Sequence, residues 1–201
     1  MPHIREIQSR LGAWYDEHAR PLPWRADVSA YHVLLSEIIL QQTRVDQGMS
    51  YYHRFTERFP SVEDLAAASE DEVLLLWQGL GYYSRARNLH AAARDVRDRF
   101  GGRFPTAYAE VRSLSGIGDY TAAAIVSFAT GAPYAAVDGN VLRVIGRLFA
   151  IDTPTDTSAG RRLYNDLARS LLPPDHAGEH NQAIMEFGAL QCVPRNPDCS
   201  V

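Results

Sequence analysis

A glutamate with unusual neighbours is the first residue that could do chemistry. Glu37 lies between Leu35-Ser36 and Ile38-Ile39, in a stretch whose apolar residues have helical spacing. An ionised carboxylate is costly to bury unless it is paired or has a function. Most glutamates on helices simply face solvent, but apolar neighbours on both sides disfavour that interpretation here. Glu37 is therefore a candidate functional carboxylate.

A second carboxylate lies before an apolar run of helical period. Asp138 and Asn140 belong to Val137–Val144, which reads V-D-G-N-V-L-R-V. Aspartate and asparagine are both good helix N-caps, and in isolation capping is the simpler explanation for them. A catalytic interpretation needs support from another part of the chain.

That support comes from a turn with two glycines. Leu114–Ala122 reads L-S-G-I-G-D-Y-T-A, in which Gly116 and Gly118 are followed at once by a predicted helix. Glycine permits positive φ and close approach of another backbone, and a helix N-terminus offers N–H groups and a positive dipole end. Such a turn can bind a DNA phosphate without a basic side chain, although an ordinary turn between helices is the alternative. It resembles the helix-hairpin-helix motif of DNA repair proteins.

The basic residues limit the possible chemistry. All 20 Lys+Arg positions are arginine, so no lysine side chain can form a Schiff base with a sugar aldehyde. The net charge of −4 gives no general basic signature. Contacts with nucleic acid would have to come from a local patch or from backbone amides.

Helical periodicity dominates the sequence, and convincing alternating strands are absent, which predicts an all-α fold. Apolar positions from Val33 to Val45 predict a buried helix, and Ser69 with Glu72 forms a capping box. Further helices are predicted at Tyr83–Phe100, Thr121–Thr130, Val141–Ile151, Arg161–Leu172 and Glu179–Leu190. No apolar run approaches the roughly 20 residues of a membrane span. We expect no membrane association and a cytoplasmic (bacterial nucleoid) or other intracellular DNA compartment.

Longer blocks resemble one family closely. Asp138 follows Gly118 by twenty residues, as in the helix-hairpin-helix DNA glycosylase superfamily. Ser36–Thr43, S-E-I-I-L-Q-Q-T, resembles the S-E-x-x-L-Q-Q-T block of adenine DNA glycosylases of the MutY type. Pro23–Arg25 resembles the P-W-R of that family, and Gly79–Leu89 resembles its G-x-G-Y-Y-x-R-A-R-N-L block.

The resemblance extends from Trp14 to Cys199 and implies a helix-hairpin-helix glycosylase fold. It implies a helical barrel domain with the hairpin at 22–132. A second helical domain, which carries the iron–sulfur site in the intact family, is expected from 1–21 and 133–201. The implied partner is double-stranded DNA containing an A:8-oxoguanine or A:G mismatch, bound by a monomer.

The resemblance also implies roles for the catalytic residues. Glu37 would protonate adenine at N7 from an apolar pocket that raises its pKa. Asp138 would stay ionised and stabilise the sugar cation, through its field or through a transient covalent bond. Asn140 and Tyr120 would support the same centre. Tyr120 stands where bifunctional relatives carry a lysine, which implies a monofunctional enzyme that uses water.

Further residues would contact DNA or the extruded base. Gln42 and Tyr82 match residues of the MutY-type family that insert into the duplex beside the purine opposite the adenine. Thr43 and Leu80 match family residues that lie near that purine. The adenine-pocket residues implied by the resemblance are Arg20, Trp24 and Gln182. The DNA-binding residues implied at the hairpin are Gly116, Gly118, Tyr120 and Thr121.

The two cysteines resemble half of a cluster site. Cys192 and Cys199 have the spacing of the first two ligands of the C-x6-C-x2-C-x5-C site for a [4Fe–4S] cluster. Four thiolates are needed. We expect a fragment of a longer protein in which the 201-residue chain does not assemble the cluster and the C-terminal domain for 8-oxoguanine recognition is absent. Abandonment of the cluster is the alternative.

Two other functions remain open. A thymine or uracil mismatch DNA glycosylase of the same superfamily can also carry tyrosine in the hairpin. The block around Glu37 argues against it, since thymine has no N7 to protonate. A non-catalytic helix-hairpin-helix module would not need Glu37 and Asp138 together.

Overall fold

The computed structural model describes residues 3–200, and this part of the chain is built from α-helices without strands. The predicted all-α fold class is confirmed. The helices are α1 (Ile4–His18), α2 (Pro23–Ala26), α3 (Ala30–Leu40), α4 (Val45–Arg58), α5 (Val62–Ala67), α6 (Glu70–Trp77), α7 (Ser84–Phe100), α8 (Tyr108–Arg112), α9 (Asp119–Thr130), α10 (Gly139–Leu148), α11 (Ser158–Leu171) and α12 (Ala177–Leu190). None of these helices is long and apolar enough to cross a membrane.

The chain divides into two compact units. The hairpin unit is Leu22–Ala129, and it contains α2 to α8 and nearly all of α9. The terminal unit combines Met1–Pro21 with Thr130–Val201, and it contains α1 and α10 to α12.

Large apolar side chains fill the hairpin unit. Phe55 and Trp77 are fully buried, with ring centroids 5.8 Å apart in an edge-on arrangement. The helix α7 packs against α3, α5 and α6. Its buried face includes Ala86, Ala92 and Ala93, whose small side chains permit close packing.

Two helix ends follow the sequence prediction closely. Ser69 Oγ accepts the backbone N–H of Glu72 at 3.3 Å, and Glu72 Oε2 accepts the N–H of Ser69 at 3.0 Å. The predicted capping box is confirmed. The predicted helix Tyr83–Phe100 is observed as α7, which stops at Gly101 with a left-handed φ of 61°. Glycine adopts this conformation without the steric cost of a Cβ.

The prediction of one buried helix from Val33 to Val45 is wrong at its C-terminal end. The helix α3 ends at Leu40, and Val45 begins α4 after a turn in which Gln42 has a φ of 55°. Val45 keeps the apolar period across the turn, so periodicity alone conceals the break. Likewise the helix predicted to reach Ile151 ends at Leu148.

The terminal unit has a core of its own. Its α10 and α11 present strongly amphipathic faces, and α12 packs against α1 and α10. The fully or nearly fully buried side chains of this core are Leu11, Val141, Val144, Ile145, Tyr164, Leu167, Ala168, Leu171, Ala183 and Ile184.

Candidate active site

The two glycines of the turn between α8 and α9 differ in whether the protein has room for a side chain at their position. Gly116 has a φ of 73°, and a Cβ there would lie 2.4 Å from Cβ of Asn88 on α7. Gly118 has no positive φ, and a Cβ there would meet no atom within 4 Å. Of these two positions, packing within the unit therefore requires glycine only at 116. At 118 the glycine leaves open space where α9 begins.

Asp95 on α7 holds the turn in place. Its Oδ2 accepts hydrogen bonds from both the backbone N–H and the hydroxyl of Ser115, each at 2.8 Å. Arg99, one turn further along α7, donates to the carbonyl of Ser113 at 3.1 Å. The turn is thus fixed from the α7 side.

An acidic residue begins α9. Asp119 is 82% exposed, and its Oδ1 accepts from Nε of Arg112 at 2.6 Å. This hydrogen bond and the guanidinium charge hold the pKa of Asp119 below its usual range. Arg112 also donates to the carbonyl of Ile117 at 2.7 Å. The start of α9 therefore carries an ion pair as well as the helix dipole.

The predicted residues Glu37 and Tyr120 both lie in the hairpin unit. Glu37 is half-buried on α3, between the buried residues Ser36 and Ile38. Tyr120 is the second residue of α9 and is also half-buried, whereas Thr121 is buried. Glu37 is therefore neither fully exposed nor fully buried.

Trp24 packs against an aromatic neighbour. It lies on the short helix α2, and its ring meets that of Tyr52 edge-on, with centroids 5.1 Å apart. Burial, with a smaller contribution from the charge of Asp27, raises the pKa of Tyr52 to about 12. The Tyr52 hydroxyl therefore stays protonated beside Trp24 at neutral pH.

Gln42 and Tyr82 share a rare backbone conformation. Their φ angles are 55° and 47°, and both side chains are exposed, Tyr82 to 67%. A left-handed conformation costs a residue with a Cβ roughly 1–2 kcal/mol. Such strain is maintained where surrounding structure enforces it, commonly at functional sites. The other two residues expected near the partner purine are less exposed than Gln42 and Tyr82. Thr43 is half-buried and Leu80 is buried.

Asp138 caps α10 in the terminal unit. Its Oδ1 accepts the N–H of Val141 at 2.8 Å, and its Oδ2 accepts from the side-chain amide of Asn140 at 2.7 Å. Burial raises the pKa of Asp138, while these hydrogen bonds and the nearby charge of Arg143 oppose the rise. Capping and catalysis are therefore compatible for this carboxylate, because capping uses one oxygen. The side chains of Asp138 and Asn140 are thus in direct contact.

Arg143 extends the network around Asn140. Its Nη2 donates to Oδ1 of Asn140 at 2.7 Å and to the carbonyl of Gly188 at 2.6 Å. Its Nε donates to the carbonyl of Cys192 at 2.8 Å. Asn140 therefore has a fixed amide orientation, in which its nitrogen faces Asp138. Sequence reasoning missed Arg143, which looks like an ordinary arginine of an amphipathic helix.

Arg20 is held by a buried carboxylate that the sequence analysis missed. Its Nε and Nη2 donate to Glu186 at 2.8 and 2.7 Å, and Glu186 is 1% exposed. Glu186 lies between apolar residues on α12, so the signal that singled out Glu37 could have found it. Gln182, one turn earlier on α12, accepts from the hydroxyl of Tyr15 at 3.3 Å.

The cysteines do not complete a cluster site. Cys192 is half-buried and its thiol accepts from Arg147 at 3.2 Å, whereas Cys199 is exposed. Residues 3–200 contain no group of three or more His, Cys, Asp or Glu side chains placed to hold a metal. A [4Fe–4S] cluster takes four thiolates, and these two residues supply only half of that set.

Comparison with known proteins identifies the class. The model of the HhH-GPD superfamily of base excision DNA repair proteins matches residues 35–168. The chain belongs to this superfamily. Solved structures agree on the fold. A thermostable thymine-DNA glycosylase is 29% identical with a TM-score of 0.89, over 98% of this chain and 91% of that one. An endonuclease III–DNA complex, 23% identical over 98% and 90%, has a TM-score of 0.82 and supports the fold alone.

Within the superfamily, curated relatives are adenine DNA glycosylases. The mouse (Mus musculus) adenine DNA glycosylase is 45% identical over 98% of this chain and 40% of its own length. That of Buchnera aphidicola subsp. Baizongia pistaciae is 39% identical over 94% of this chain and 53% of its own length. The chain thus spans about half or less of the length of these relatives.

Proposed function

We propose that this protein is a DNA glycosylase that hydrolyses the N-glycosidic bond of adenine mispaired with 8-oxoguanine or guanine. The observation that carries the proposal is a pair of carboxylates in different surroundings. Glu37 lies half-buried in an apolar helix. Burial raises the pKa of Asp138, and three hydrogen-bonding and charged neighbours oppose that rise by favouring its ionised form. The names of relatives up to 45% identical support the choice of adenine.

Two opposed protonation states are what glycoside cleavage requires. Glu37 donates its proton to N7 of adenine, and the C1′–N9 bond then breaks with its electron pair moving to the base. Asp138 stabilises the positive charge left on the sugar. Water adds at C1′ and loses a proton, so the products are free adenine and an abasic site.

The lack of lysine among these 201 residues favours hydrolysis. Tyr120 occupies the hairpin position at which an amine would attack the sugar, and a phenol cannot form an imine. Strand cleavage by an imine intermediate is therefore not expected. The hydroxyl of Tyr120 and the amide of Asn140 are proposed as hydrogen-bonding support for the reacting sugar.

The proposed partner is duplex DNA. The open space at Gly118 and the N–H groups of the first turn of α9 suit a backbone phosphate. The adenine has to leave the base stack before it can be cleaved. Gln42 and Tyr82, with Thr43 and Leu80 beside them, are proposed to fill the space next to the partner purine. Trp24, Arg20 and Gln182 are each proposed to contact the extruded adenine.

We propose further that the hairpin unit is the expected barrel domain and the terminal unit the second domain. Cys192 and Cys199 are proposed as two of the four thiolate ligands of a [4Fe–4S] cluster. We propose that the protein acts as a monomer, and that it does so in a cellular compartment that contains DNA.

Thymine mismatch glycosylase is the second candidate, because a thymine-DNA glycosylase shares the fold with a TM-score of 0.89. Glu37 argues against it, since thymine lacks N7. Strand-cleavage assays with alkali added after incubation test both. We expect cleavage of the adenine strand in A:8-oxoguanine duplexes and none of the thymine strand in T:G duplexes. Cleavage of the thymine strand alone would show that thymine, not adenine, is the substrate. Cleavage of neither strand would indicate a DNA-binding module without glycosylase activity.

A further inference from the structure

Arg85, at the start of α7, is a buried arginine with unusual partners. It is 9% exposed, and within residues 3–200 it forms no ion pair. Burial lowers the pKa of its guanidinium. A buried charge is normally paired with an opposite one. Arg85 must therefore be stabilised by the groups around it.

Those groups belong to the last turn of α3 and to the two loops that follow α3 and α6. Nη1 donates to the carbonyls of Ile38 and Ile39 at 3.1 and 3.0 Å and also to that of Gln41. Nη2 donates to the carbonyls of Leu80 and Gly81 at 3.3 and 3.4 Å. One guanidinium thus joins the end of α3 to the loop before α7.

The same two loops carry the strained residues. Gln42 follows the carbonyl of Gln41, and Tyr82 follows that of Gly81; both have left-handed φ angles and exposed side chains. The guanidinium carbon of Arg85 lies 5.7 Å from the ring centroid of Tyr82 and 5.1 Å from that of the buried Trp77. Carbonyl dipoles and aromatic faces together stabilise the cation without a carboxylate.

We propose that Arg85 is a positioning residue, which holds both loops so that Gln42 and Tyr82 enter the duplex together beside the extruded base. This inference rests on the proposed function for those two side chains. A planar guanidinium can serve two loops at once because its two terminal nitrogens point in different directions. A lysine ammonium is a single point donor on a flexible stem and cannot replace it.

Arg85→Lys is the test variant, and Arg97→Lys is the matched control. Arg97 lies on the same helix and also donates to a backbone carbonyl, that of Ala66 at 2.9 Å, but it is exposed and touches neither loop. Amide hydrogen exchange at 41–43 and 80–82 should rise in Arg85→Lys and not in Arg97→Lys. Exchange elsewhere in the hairpin unit should stay at the wild-type level. Arg85→Met, which is shorter and removes both the charge and the hydrogen-bond donors, gives the same comparison if the lysine variant is unstable.

Base extrusion gives the second measurement. 2-Aminopurine is placed beside the target adenine of an A:8-oxoguanine duplex, and excision is stopped in each protein by Asp138→Asn. Release of two left-handed residues should lower the extrusion equilibrium by about tenfold or more in Arg85→Lys. With Asp138 intact, the single-turnover excision rate should fall likewise, while Arg97→Lys matches the wild type.

The outcomes separate this inference from the proposed function. If the wild type extrudes and excises adenine and Arg85→Lys matches it, only the role of Arg85 is wrong. If amide hydrogen exchange rose uniformly across the hairpin unit, Arg85 would contribute to the stability of the whole unit and not specifically to the two loops, which would overturn the inference. A wild type that neither extrudes nor excises adenine would overturn the proposed function and the wedge role with it.

Discussion

The side-chain amide of Asn140 donates a 2.7 Å hydrogen bond to Asp138, and Arg143 fixes the orientation of that amide by donating to its oxygen at the same distance. The contact favours the charged form of Asp138, because the amide N–H is directed at a carboxylate oxygen. Burial acts in the opposite direction and raises the pKa of Asp138. Asn140 therefore opposes the effect of burial on the pKa of Asp138 and favours the ionised carboxylate.

Replacing this donor should change the pH dependence of excision. In Asn140→Ala the pKa of Asp138 should rise further, because burial remains and a hydrogen bond to the charged form is lost. Excision needs ionised Asp138, so activity should be lost at a higher pH than in the wild type as the solution is acidified. The pH profile of single-turnover excision measures this shift. Asn165→Ala, at a half-buried asparagine of α11 that donates to the carbonyl of Arg161, is the control. An unchanged acid limb in Asn140→Ala would remove Asn140 from this role.

The second prediction concerns the proton donor. Glu37→Gln keeps the shape of the side chain but cannot protonate N7, so mismatch binding should persist while excision falls by on the order of 10²–10⁴-fold. Binding by fluorescence anisotropy and single-turnover excision are the two measurements. Glu57→Gln, at an exposed position on α4, serves as the control. Near-normal excision by Glu37→Gln would exclude Glu37 as the acid.

The sequence predicted the chemistry-bearing carboxylate more easily than its supporting residues. Glu37 is visible because apolar residues flank it, and Glu186 carries the same signal. Arg85 gives no such signal, since its helix contains many exposed arginines and its acceptors are backbone carbonyls. Backbone hydrogen bonding depends on tertiary structure, which residue types do not report. The turn at Gln42 was missed for a related reason, because the apolar period continues through it.

The third prediction concerns the covalent chemistry. With Tyr120 at the hairpin and no lysine in the chain, borohydride should trap little enzyme–DNA adduct, apart from slow reaction of the N-terminal amine. Tyr120→Lys restores an amine at that position and should increase trapping and strand cleavage. Denaturing gels of borohydride-treated reactions measure the adduct. Efficient trapping by the wild type would contradict a monofunctional mechanism.

The two glycines of the hairpin should respond differently to alanine. Gly116→Ala should lower stability by about 2–4 kcal/mol, from the strained φ and from crowding against Asn88. Gly118→Ala should keep the wild-type stability, since nothing in the protein opposes its Cβ, yet weaken duplex binding severalfold by obstructing the phosphate. Urea unfolding and anisotropy titrations distinguish the two. Normal DNA binding by a folded Gly118→Ala would argue against a phosphate at that position.

The last prediction concerns the charge at the start of α9. Asp119 is exposed beside the proposed phosphate site, and its pairing with Arg112 occupies a guanidinium that could otherwise meet DNA. Asp119→Asn removes a repulsive charge and releases Arg112, so duplex affinity should rise by roughly three- to tenfold at low salt. The slope of log affinity against log salt should steepen by about one, as for one added phosphate contact. The cost is a modest loss of stability, because an acidic residue in the first turn favours the helix dipole. Asp98→Asn, which breaks another exposed ion pair, that with Arg97 on α7, is the matched control and should leave the salt slope unchanged. Equal slopes for the wild type and Asp119→Asn would mean that the phosphate lies elsewhere than at the start of α9.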